Sequence, residues 1–130
     1  MKTCITTGRL PLPVGAYAQI VVSNGFLFLS GQIPVDRETG RLIEGGIREQ
    51  TEAVLGAIKS VMEERYLGLK DVVKVTAYLV SPQDFDTFNV VYAEYFDTEP
   101  PARTTVFVSA LPKHAKVELD VVAALDTGNA

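Results

Sequence analysis

Arg103, Thr105, Glu118 and Asp120 are the residues of this chain whose types and spacing suit chemistry. They lie in two short segments, Pro101-Ala102-Arg103-Thr104-Thr105-Val106 and Lys116-Val117-Glu118-Leu119-Asp120-Val121, each carrying charge inside an apolar alternation. Successive side chains of a strand point to opposite faces. Arg103 and Thr105 therefore share one face, and Glu118 and Asp120 share the face opposite Val117, Leu119 and Val121. The connection 109–115 is short enough for a hairpin, and a symmetric register sets Thr105 near Glu118 and Arg103 near Asp120. A guanidinium and a carboxylate on rigid strands suit a site that grips an anionic substrate and activates water, because Arg offers a planar fork that fits a carboxylate. The same pattern also reads as a cross-strand ion pair on a solvated sheet face.

The elements that must hold these side chains follow from periodicity. The Pro- and Gly-rich stretch 10–17 predicts an extended loop leading into a strand over 17–22. Asn24-Gly25 between apolar runs predicts a tight hairpin turn, with Phe26-Leu27-Phe28-Leu29-Ser30 as the returning strand. A surface turn is expected at 36–40. Ile47, Val54, Ile58, Val61 and Met62 recur at helical spacing, so a helix runs from Gly45 or Gly46 to about Tyr66. The β-branched run 71–80 reads as a strand apolar enough on both faces for a central position. Ser81-Pro82-Gln83-Asp84 is a turn with capping residues, followed by a second amphipathic helix through Phe85, Phe88, Val91 or Tyr92, and Tyr95 or Phe96. Glu99-Pro100-Pro101 stops it, the two charged strands finish the fold, and residues 126–130 read as a frayed tail. This order implies one α+β domain over residues 1–130, a mixed sheet of about six strands with both helices on one face. The other face carries Val and Phe as well as charge, which favours a homo-oligomer.

Composition bounds the function. The chain has 130 residues, 47% hydrophobic and 22% charged, the profile of one globular domain. No apolar run approaches a spanning helix and no signal-peptide core follows Met1, so the cytoplasm is the expected location. Cys4 is the only cysteine, which excludes an internal disulfide. A net charge of −4 argues against a broad nucleic-acid surface. His114 is the only histidine, which excludes a cluster of several His ligands. Gly45-Gly46 lacks the remaining parts of a phosphate-binding loop. Glu49, Glu52, Glu63 and Glu64 fit a solvated helix face better than an acid/base pair, and Tyr92, Tyr95 and Phe96 fit packing better than base stacking.

Five segments carry a resemblance beyond these patterns: Gly15-Ala16-Tyr17; Ser30-Gly31-Gln32-Ile33-Pro34; Asn89-Val90-Val91-Tyr92 with Tyr95-Phe96; Pro101 to Val106; and Leu111-Pro112 followed by Val117-Glu118-Leu119. In order and spacing they resemble the RidA (YjgF/YER057c/UK114) family, over about residues 11–124. The resemblance implies a chorismate-mutase-like, YjgF-type α+β protomer assembling into a homotrimer with clefts between subunits. It also implies hydrolysis of reactive enamines and imines, such as 2-aminoacrylate and 2-iminopropanoate, to 2-keto acids and ammonia, with no metal or cofactor. By position, Arg103 falls on the family arginine that binds the substrate carboxylate and Glu118 on the glutamate that handles water. Tyr17, Ser30 and Asn89 match cleft-lining positions and Gly31 lies beside them, so these four with Arg103 and Thr105 are the expected substrate-binding residues. Thr105 stands where the best-known members have cysteine, so no thiol chemistry is expected there. Ala16 replaces a frequent proline, and the connection from Asn89 to Arg103 is shorter than in some members.

That chemistry suits the residues. An imino acid offers a fixed carboxylate and an electrophilic carbon, so an arginine supplies orientation while a carboxylate accepts a proton from attacking water. Such an imine already reacts with water, and positioned proton transfer adds roughly 10²–10⁴-fold. Two other readings remain at this point: a module that binds 2-keto acids or other small ligands without turnover, and an RNA-cleaving translation inhibitor.

Overall fold

Asn24 and Gly25 both take positive φ, 52° and 82°, and close a two-residue turn in which Ser23 pairs with Phe26. That is the conformation Asn-Gly favours, and its twist matches the flanking strands. It joins β2 (Ile20–Ser23) to β3 (Phe26–Gln32) in the computed structural model, which describes residues 1–125. The tail expected at 126–130 lies outside the described residues. A short β1 (Thr3–Ile5), not anticipated from sequence, pairs antiparallel with β2. The strand expected from 17 begins only at Ile20, because the Tyr17 amide donates to Gly15 O at 3.0 Å and bends the chain there.

Helix α1 (Ile47–Glu64) starts where Gly45 takes φ +117° and the Glu49 carboxylate accepts from the Gly46 amide at 2.9 Å. Its end is fixed by the Tyr66 amide donating to Glu63 O and the Leu67 amide to Met62 O, with Tyr66 left-handed at φ 59°. After β4 (Val72–Leu79), Ser81 Oγ accepts from the Gln83 amide at 3.2 Å and leads into α2 (Phe85–Tyr95). The last strands are β5 (Ala102–Phe107) and β6 (Val117–Ala124).

The sheet order is β1-β2-β3-β6-β4-β5. This corrects the expected hairpin between the two charged strands. β5 pairs parallel with β4, and β6 pairs antiparallel with β4 on its other side. The helix between β4 and β5 is the cause: a crossover returns the chain parallel to its starting strand, and residues 108–116 then carry it over the end of β4. Leu79 accordingly faces Phe107 on one side and Val117 on the other. Arg103 is level with Val75 rather than beside Asp120, and Thr105 is level with Ala77 rather than beside Glu118.

Both helices cover one face, and the core lies between them and the sheet: Val54, Leu55, Ile58 and Met62 of α1 and Phe88 of α2 against Leu27, Val75, Leu79, Leu119 and Val121. β4 is central as expected, but its second face carries Lys74, Thr76 and Tyr78 and is polar. That open sheet face also exposes Phe26, Phe28 and Val106. Among the described residues, no helix is long and apolar enough to cross a membrane.

Candidate functional site

One group of the singled-out residues gathers where β3 meets the loop before β2. The Ser30 amide donates to Gln19 O at 3.0 Å and its hydroxyl to Ala18 O at 2.6 Å, which fixes the 17–19 segment along β3. Gln19, buried, secures the other side of that loop: its Oε1 accepts from the Thr7 amide at 2.6 Å and its Nε2 donates to Pro11 O at 2.8 Å. The loop thus holds Tyr17 at the rim, 52% exposed. A buried glutamine within an apolar stretch is a signal that sequence reading had available and did not use.

Gly31 sits in a bulge. Leu29 pairs with Val121 and Gln32 with Leu119, so β3 has one extra residue against β6. The bulge turns the bare Cα of Gly31 to Glu118, where a Cβ would overlap the Glu118 carboxylate. Glycine is required here for close approach, not for its backbone angles. Burial first, and the charge of Asp120 second, push the Glu118 carboxyl above the usual range. Gly31 also lines a cleft of about 390 Å³, together with Leu12, Tyr17, Ile33, Arg37 and Lys113 among others.

A second group forms on the helix-covered side at the opposite edge of the sheet. Phe88, Asn89 and Tyr92 lie on one flank of α2, and Arg103 of β5 reaches up to them. The Arg103 guanidinium donates to Asn89 Oδ1 at 2.8 Å and stacks over the rings of Phe88, at 5.3 Å, and Tyr92, at 4.7 Å. Arginine only donates, so the amide oxygen must face it. Burial drives the Tyr92 hydroxyl up to about 12 against the opposing pull of Arg103. Thr105 follows two residues along on the same face of β5. Tyr92 therefore does more than pack the core: it forms half of the aromatic bed under the guanidinium.

The two groups do not meet within one chain. β5 is two strands from β6, roughly 10 Å, and Arg103 and Glu118 project from opposite faces of the sheet. His114 is exposed on the turn Pro112–His114, and Cys4 is exposed on β1. Among the described residues, no three His, Cys, Asp or Glu side chains converge to hold a metal ion.

Known proteins share this arrangement of elements. The family model described as Endoribonuclease L-PSP matches residues 7–125. A RutC family protein of Pyrococcus horikoshii is 46% identical over 123 residues, 95% of this chain and 98% of the relative. The chloroplastic Reactive Intermediate Deaminase A of Arabidopsis thaliana is 36% identical over 124 residues, 95% of this chain and 66% of that protein. The crystal structure of E. coli TdcF with bound serine matches with a TM-score of 0.88 at 33% identity, covering 95% of this chain and 99% of that one. With a family model spanning nearly its whole length on a YjgF-type fold, this chain belongs to the Endoribonuclease L-PSP family, the RidA/YjgF group.

Proposed function

We propose that this protein is an enamine/imine deaminase, hydrolysing 2-iminopropanoate and 2-iminobutanoate, and 2-aminoacrylate through its imine tautomer, to 2-keto acids and ammonia. The observation that carries this reading is the Glu118 carboxylate, half-buried against the bare Cα of Gly31 and held above its ordinary pKa range. A carboxylate so placed is a stronger base than one in water. The relative named a reactive intermediate deaminase adds support.

In this mechanism Arg103 grips the substrate carboxylate. Asn89 and the two rings occupy one donor and the face of the guanidinium, and its remaining N–H groups form the fork. Water adds to the carbon of the protonated imine as Glu118 takes its proton, giving a neutral carbinolamine. Glu118 returns that proton to the amino nitrogen, the C–N bond breaks to release ammonia, and the hydroxyl proton passes to Glu118 as the carbonyl of the 2-keto acid forms. Because Arg103 and Glu118 face apart in one chain, each site takes Arg103, Asn89 and Thr105 from one copy and Tyr17, Ser30, Gly31 and Glu118 from its neighbour. A homotrimer that covers the open face bearing Phe26 and Phe28 supplies three such clefts. We place the protein in the cytoplasm, where pyridoxal-phosphate lyases release imines of this kind.

The second reading, a small-ligand-binding module without turnover, is favoured by the serine bound to the E. coli structure. RNA cleavage is the weakest, since His114 is the only histidine and lies exposed on a turn. The deciding experiment generates 2-iminopropanoate in situ, traps the residual imine with semicarbazide, and compares wild-type protein with Glu118→Ala. Trapped imine falling with wild-type protein alone supports the deaminase. Trapping equal to buffer, with pyruvate or serine binding by calorimetry, establishes the binding module.

A further inference from the structure

The β4–β6 register sets Tyr78 directly opposite Glu118 on the open face. The Tyr78 hydroxyl does not reach Glu118 but donates diagonally to Asp120 Oδ2 at 3.0 Å. The phenol thus begins level with Glu118 and ends at Asp120, linking the two acidic positions of β6 across the open face, while Gly31 of β3 lies against the Glu118 carboxylate. Asp120, next on the same face of β6, lies roughly 6.5–7 Å further along the strand.

We infer that Asp120, tethered by Tyr78, is a positioning residue for Glu118, fixing a negative charge beside the carboxylate and so maintaining its strength as a proton acceptor. This rests on the deaminase reading above. Few charges face Glu118 from its own chain, and across the proposed cleft the neighbouring copy brings Arg103. β6 contributes Asp120 and, at its exposed outer end, Lys116. β4 contributes Tyr78, and its Lys74 is turned away to Thr104 Oγ1 at 2.6 Å. Ser30, Gly31 and Gln32 of β3 bring no charge, and α1 and α2 lie on the other face of the sheet. Asp120 is therefore the negative charge best placed to act, and the hydrogen bond to it is also the main cause that raises the Tyr78 hydroxyl. Without the tether, Asp120 is free to turn towards solvent and its influence is screened.

The test is a ¹³C NMR titration of the Glu118 carboxyl in the assembled protein, beside the pH profile of kcat/KM for imine hydrolysis. Asp120→Asn is expected to move the Glu118 midpoint, and the acidic limb of the profile with it, to lower pH by about half a pH unit to one. Asp120→Glu, which keeps the charge, holds both near wild type. Tyr78→Phe moves both in the same direction by less, and serves alone should Asp120→Asn not fold. A midpoint unchanged in Asp120→Asn, or in Tyr78→Phe where only that variant folds, overturns the inference, because a merely structural role lowers activity without moving a titration. The titration needs no turnover. A shifted midpoint in a protein that hydrolyses no imine overturns the deaminase reading alone, whereas turnover with an unshifted midpoint overturns this one alone.

Discussion

Gly31 and Glu118 approach so closely that a single added carbon at position 31 collides with the carboxylate. Alanine at position 31 must displace the Glu118 carboxylate, the far end of a flexible side chain, so the fold should survive while the base is lost from its place. We expect Gly31→Ala to keep its circular dichroism spectrum and lose about 10–100-fold in kcat/KM for 2-iminopropanoate by the semicarbazide assay. Glu118 also carries a stability signature. Its folded pKa lies above the ordinary value of 4.5, so the native state holds its proton longer than the unfolded chain. Stability from this group is therefore fully present below 4.5 and is lost as pH rises through the raised value. Glu118→Gln should raise Tm at neutral pH and flatten its decline over that window, read by calorimetry across pH; a wild-type slope in the variant would show that Glu118 titrates normally. The types of these residues were legible in sequence, since Arg103 and Glu118 interrupt apolar alternations. Their partners were not: the aromatic bed under Arg103 and the Gly31 contact come from elements far apart in the chain.

At the scale of elements, turn chemistry and periodicity were readable because both are local. Asn24-Gly25 and the apolar stripe of α1 each sit within one turn or one helix face, and the structure follows them closely. The pairing of the charged strands was misread because β4, arriving earlier in the chain, already occupies the place beside β5. Nothing within 101–121 encodes that. One local feature departs from preference. The left-handed residue that closes α1 is Tyr66, 98% exposed, where glycine is usual. Tyr66→Gly removes the steric cost and no packing, and is expected to stabilise the protein by about 0.5–1 kcal/mol, seen as a higher denaturant midpoint at unchanged slope. A lower midpoint would mean that the ring makes contacts absent from the single chain.

For the whole molecule, the separation of Arg103 from Glu118 gives the proposed assembly a direct check. Neither Arg103→Ala nor Glu118→Ala should hydrolyse imine alone. Unfolded together in equal amounts and refolded at random, they should recover about a quarter of wild-type activity, the fraction of all clefts that draw both intact residues from different copies. No recovery in confirmed mixed trimers would place both groups in one chain's site. The strand order has another consequence, for synthesis. β6 joins β3 to β4 and bears Glu118, yet of the described strands it is the last to be synthesised. Until then the nascent protein is two unjoined pieces, β1–β3 and β4–β5 with their helices, for a translation time on the order of ten seconds. A message cut short before Val117 should therefore yield an aggregating fragment rather than a weakened protein, so translation must pass β6 before any of this fold is secure.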